Sequence, residues 1–175
     1  MLISWDDIMS KISNISEISK KNLMKRIDRM EVDMYGNTML HSACLHGYTE
    51  PVIRELLKKI DVNTRNNIGN TSLMLVSIEN KYDVVKTLLE HSVDIDAKGY
   101  YGNTALMYAA FYGHIDIVNK LLEYKADISI INDEGDTAKA LAILGENEEV
   151  VYCLDRKERE TRDTIFSRGK YYVNE

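Results

Sequence analysis

The densest run of chemically capable side chains is His41-x-x-Cys44-x-His46. Imidazole and thiolate are zinc donors, and a cysteine beside a histidine is also the pairing of a thiol nucleophile. His41 and Cys44 stand three apart, so a helix would put them on one face. Zinc needs further ligands, however, and no second cluster in the chain supplies them. Gly99-Tyr100-Tyr101-Gly102 invites a glycine-rich reading, but no phosphate loop, zincin helix or nucleophile elbow is present.

The elements that would position these residues are set by a repeat. Gly36, Gly69, Gly102 and Gly135 each open the same short phrase: Gly36-Asn37-Thr38, Gly69-Asn70-Thr71, Gly102-Asn103-Thr104 and Gly135-Asp136-Thr137. A unit of this length cannot bury its own apolar face and must stack on its neighbours. In the third unit Thr104 is placed to cap a helix, and Leu106, Ala109 and Ala110 form one helical stripe. Gly113 stands where that helix ends. Ile117, Val118, Leu121 and Leu122 then form a second stripe, and Asp127 follows in a turn. Each unit therefore reads as helix, turn, helix and a projecting hairpin.

With 175 residues and 45% hydrophobic side chains, the chain suits one elongated domain with a core shared along its length. Its net charge of −6 is uneven: residues 34–154 hold seventeen acids against ten bases, and residues 133–149 hold six acids against Lys139 alone. That bias repels nucleic acid and steers basic partners. No stretch is apolar enough to span a bilayer, and the start lacks the pattern of a secretory signal, which predicts a cytoplasmic chain. Cys44 and Cys153 lie far apart and are expected to be buried free thiols.

The units resemble the ankyrin motif. The third carries Gly102-Asn103-Thr104, Ala109-Ala110, Gly113-His114, Ile117-Val118, Leu121-Leu122 and Ala126-Asp127-Ile128. The second keeps Thr71, Val84-Val85, Leu88-Leu89 and Asp94-Ile95-Asp96, with Val76-Ser77 and Asn80 in place of the alanine pair and glycine. The first has Ala43-Cys44, Gly47, Val52-Ile53 and Leu56-Leu57, with one residue gained before that last run and one lost after it. The family's proline after threonine is absent throughout, and its histidine survives only at His41. The resemblance implies an all-α ankyrin-repeat solenoid of stacked helix-turn-helix pairs with projecting β-hairpin loops. It also makes His41 and Cys44 packing residues, His114 a structural histidine and His46 a surface one, with no metal and no cofactor.

The expected organisation is an N-terminal helical cap at 1–32, repeats at 33–65, 66–98 and 99–131, a capping repeat at 132–155, and a charged helical extension with an aromatic tail at 156–175. In the cap, Trp5 is a candidate plug for the first interhelical groove. Lys139 replaces the core leucine of the last unit, so no neighbour is expected beyond it. The tail, from Thr164 to Val173, either folds back over the last unit, which the cost of exposing five apolar groups favours, or serves as a partner-binding peptide.

Ankyrin proteins bind through hairpin tips and the exposed turns of their first helices. Here those positions include Tyr35, Asn37, His46, Ile68, Glu79, Tyr100, Tyr101, Asn103, Phe111, Tyr112, Asp133, Glu134 and Asp136. Aromatic side chains dominate binding hot spots, and exposed clusters of them mark interfaces. The resemblance thus implies a non-catalytic, monomeric protein-binding module: an inhibitor or immunity-type protein of a basic enzyme, or an adaptor or effector tethering two partners. A metal or thiol enzyme at His41, Cys44 and His46 is the remote alternative.

Overall fold

The computed structural model describes residues 32–46, 48 and 50–169, with side chains as far as Thr164. The N-terminal cap apart from Val32, with Trp5, lies outside the described residues, as do Gly47 and the aromatic end of the tail at 170–175. Eight α-helices follow in pairs among the described residues. They are α1 (Met39–Leu45) with α2 (Glu50–Leu57), α3 (Ser72–Ile78) with α4 (Tyr82–Leu89), α5 (Ala105–Phe111) with α6 (Ile115–Glu123), and α7 (Ala138–Leu144) with α8 (Glu148–Gly169). The first helices of successive pairs pack against one another in order, α1 on α3 on α5 on α7, and the second helices do the same. No helix among the described residues is long and apolar enough to cross a membrane.

Each first helix starts at a threonine in extended conformation, and the Oγ1 atoms of Thr104 and Thr137 accept from the amides of Met107 and Ala140 at 3.3 and 3.2 Å. This satisfies amides that a helix start otherwise leaves without partners. The apolar stripes meet in one continuous core. Leu40, Ala43, Ile53, Leu73, Val76, Val85, Leu88, Ala109, Ala110, Ile117, Val118 and Leu121 have no exposed surface or almost none. Each large side chain so buried contributes about 1.5–3 kcal/mol. The first unit's altered spacing is absorbed in α2, where Ile53 and Leu56 face inward.

In the second, third and fourth units the first helix ends on a left-handed residue. Gly113 has φ +73°, and the second unit achieves the same turn with Asn80 at φ +55°, the next cheapest residue for it. In the fourth unit Glu146 takes that role at φ +58°. Beside it, Gly145 is held small because a Cβ there would come within 2.2 Å of the Phe111 carbonyl oxygen.

The projecting segments differ from the expected β-hairpins. Among the described residues they are tight turns with a single antiparallel bridge, Arg65 to Thr71, and no strand. In three of them the first side chain braces the turn: Asp33 Oδ1 accepts from the amides of Tyr35 and Asn37, Asn66 Oδ1 from Ile68 and Asn70, and Asn132 Oδ1 from Glu134 and Asp136, all between 2.8 and 3.2 Å. The side-chain brace supplies the regular structure a ladder would have supplied.

The C-terminal end is closed in part by charge. Lys139 Nζ lies 3.1 Å from Asp155 and 2.7 Å from Glu158, both on α8. Helix α8 then continues unbroken to Gly169, so residues 164–169 extend it; the expected folding back of the remaining tail lies outside the described residues.

Candidate partner-binding surface

The third turn departs from the other three. Its first residue is Gly99, which has no side chain to brace it. The missing group is supplied from the preceding unit: Asn70 Oδ1, itself buried, accepts from the Tyr100 amide at 2.9 Å. Only glycine fits, since a Cβ at 99 would stand 2.4 Å from both Asn70 Oδ1 and Met74 Sδ. Without its own brace the turn closes differently, and Tyr101 is left-handed at φ +54°, ψ +27°, just before Gly102 at φ +70°. A bulky residue pays about 1–2 kcal/mol for that conformation.

What the strain achieves is display. Tyr101 is 54% exposed and Tyr100 47%, and their rings meet edge to face at 4.2 Å. The Tyr101 hydroxyl holds the Tyr100 phenol above its ordinary range. Tyr108, half-buried beneath, donates its hydroxyl to the Tyr100 carbonyl at 3.2 Å. The same register in the other turns carries exposed Tyr35, Ile68 and Glu134. Turns are tied together at their tips: the Asn67 amide donates to the Tyr35 carbonyl and the Asp133 amide to the Tyr101 carbonyl, both at 3.0 Å. Helix packing sets successive units about 8–10 Å apart, so these positions recur along one edge of the stack.

At the far ends of the first helices stand His46, Glu79 and Tyr112, each the C-cap of its helix and each exposed. Tyr112 stacks on His114 at 6.0 Å and meets Phe111 edge to face at 5.2 Å. Phe111 is exposed, whereas its counterpart Ile78 is half-buried. His114 is anchored in turn, donating Nε2–H to the Ile78 carbonyl at 3.0 Å, as the resemblance implied for a structural histidine.

Two of the expected positions are committed through their side chains to the next unit. Asn37 Oδ1 accepts from Asn66 Nδ2 at 3.0 Å and Asn103 Oδ1 from Asn132 Nδ2 at 2.9 Å, and both residues are half-buried. Asp136 is half-buried, its backbone amide donating to Asn132 Oδ1 within its own turn. Asp133 and Glu134 are exposed, and a Cβ on Gly102 would press within 2.4 Å of Asp133 Oδ1.

The metal or thiol reading of His41 and Cys44 meets opposing geometry. His41 is fully buried; its Nδ1 accepts from the Thr38 amide at 3.2 Å while Nε2–H donates to the Asn70 carbonyl at 3.3 Å, so both ring nitrogens are occupied. Burial lowers its pKa, favouring the neutral ring. Cys44 is also sealed, and burial pushes its thiol up to about 12, away from the thiolate that attacks or ligates. His46 sits outside, donating Nδ1–H to the Ser42 carbonyl at 2.8 Å.

Sequence reasoning missed exposed Ile143 and Tyr152 at the C-terminal end. Ile143 had a readable signal, because its register places it with Cys44, Ser77 and Ala110, all of which are sealed.

No curated protein matches the sequence. The family model for ankyrin repeats matches residues 9–99, 51–132 and 98–161. Four helix pairs in register, each opening at a threonine, and overlapping matches that together run from residue 9 to 161 agree on one conclusion: the chain belongs to the ankyrin-repeat family, whose stacked units serve as protein–protein interaction modules.

Proposed function

We propose that this chain acts as a monomer in the cytoplasm, docking a protein partner across its turn tips and first-helix ends. The anchors are Tyr35, Ile68, Tyr100, Tyr101, Phe111 and Tyr112, flanked by His46 and Glu79. Asp133 and Glu134 border the row and suit a basic surface on the partner. Left-handed Tyr101 carries this reading: the fold bears a strained aromatic that its own packing does not use. Blocking a basic enzyme as an inhibitor or immunity-type protein is the role that the acidic stack favours. An adaptor is the second reading, favoured by α8, on which Arg159, Glu160, Arg162 and Asp163 are exposed.

The test is capture of a partner by the intact chain, identified by mass spectrometry, with Tyr112→Ala as the comparison. The variant should lose the partner, by about tenfold or more in affinity as for a hot-spot aromatic, and keep its helicity and melting temperature. Equal loss of fold and binding would make Tyr112 a packing residue. Association should also slow steeply with added salt, and a complex indifferent to salt would refute acidic steering.

A further inference from the structure

We infer that the C-terminal end of the stack is a second docking socket, separate from the turn row, which receives a basic peptide segment carrying an apolar side chain. The end face has two halves. Nearer the turns, Lys139 and its two acids on α8 give the polar closure that a terminal unit needs. The other half is left apolar. Ile143, 59% exposed, occupies the register at which Cys44, Ser77 and Ala110 are each sealed by the next unit, and Tyr152, 67% exposed, stands where the third unit has Asn119. Together with half-buried Val151 they floor an open groove of about 510 Å³.

The rim of that groove selects its occupant. Glu146, Glu148 and Asp155 line it, and only Asp155 is engaged by Lys139; Glu146 and Glu148 have no ion-pair partner among the described residues. Glu146 holds its place in the left-handed conformation, where a glycine would cost less. A second copy of the chain docked face to face would set acids against acids, which costs association rather than promoting it. A segment offering one aliphatic or aromatic side chain to the floor and lysine or arginine to the rim matches both properties. Because Asn147 is spent on the Ala110 and Phe111 carbonyls at 3.1 and 2.7 Å, the groove wall is fixed to the preceding unit and preformed.

A short synthetic peptide alternating leucine with lysine, titrated into the isotope-labelled full chain, tests the inference. Amide shifts should change around Glu146, Ile143 and Tyr152. Ile143→Ser and Tyr152→Ser, both at exposed positions that leave the fold intact, should weaken binding about tenfold. Glu146→Gln with Glu148→Gln should weaken it and flatten its salt dependence. Equal binding of a leucine–glutamate peptide would overturn the inference, as would shifts confined to Tyr35, Ile68 and Tyr101. So would a dimer in sedimentation that Ile143→Ser dissolves, because the occupant would then be a second copy. Failure here leaves the turn-row reading standing, since the two faces are scored by different residues.

Discussion

Met74 Sδ accepts a hydrogen bond from the Thr71 amide at 3.4 Å, taking the place that His41 Nδ1 holds against the Thr38 amide one unit earlier. Met107 repeats the arrangement with Thr104, also at 3.4 Å. A thioether is a weaker acceptor than an imidazole, yet it brings no titration and more apolar contact. The two solutions exchange proton sensitivity for a better hydrogen bond.

The exchange predicts a pH effect. His41 has its pKa lowered by burial from 6.5, so the folded state binds this proton less readily than the unfolded chain does. Its stabilisation is therefore complete above about pH 6.5, declines as pH falls below that value, and is lost once pH passes through the lowered folded value. His41→Met should flatten the decline in denaturant midpoint between neutral pH and about pH 5 relative to the parent chain. An unchanged slope would place the pH dependence elsewhere.

Ser72 offers a gain in stability. Its hydroxyl is buried against the sealed Cys44 thiol, a weak hydrogen-bonding group, and has no stronger partner among the described residues. At the same register the third and fourth units have Ala105 and Ala138. Removing a buried hydroxyl that has only a weak thiol partner recovers about 1 kcal/mol, and alanine also favours the helix. Ser72→Ala should raise the chemical-denaturation midpoint; a lowered midpoint would mean that the hydroxyl is satisfied after all.

Cys44 and Cys153 should resist thiol reagents in the native chain and react only on unfolding. Cys44 is sealed between first helices with its pKa near 12, and the Cys153 thiol, also raised by burial, lies 3.2 Å from Asn119 Oδ1. Rapid labelling of Cys44 under native conditions would revive a thiol chemistry at that position.

Much of this architecture was legible in residue order. The glycine–threonine phrases marked each cap, and the two apolar stripes of the third unit fall on the core of α5 and α6. Local signals of this kind act within one or two helical turns, where residue type alone decides the backbone. What stayed hidden depends on pairs about thirty residues apart. Asn70 bracing Tyr100, and the consequent left-handed Tyr101, follow from a glycine in one unit and a side chain in the preceding one. Asn37 and Asn103 read as surface positions for the same reason, because the partners that occupy them belong to the next unit. The substitution of methionine sulphur for an imidazole was equally invisible, since sequence shows only that the histidine is gone.

The central claim is that Tyr101 is kept strained for the sake of a partner. Replacing it with glycine relieves the left-handed backbone and removes the ring in one step, so stability and binding should move in opposite directions. Paired measurement of the denaturation midpoint and partner affinity of Tyr101→Gly settles it. The account predicts a folded state more stable by about 1 kcal/mol with affinity reduced by about tenfold or more. A variant that binds as tightly as the parent, or that loses stability and affinity together, would contradict it.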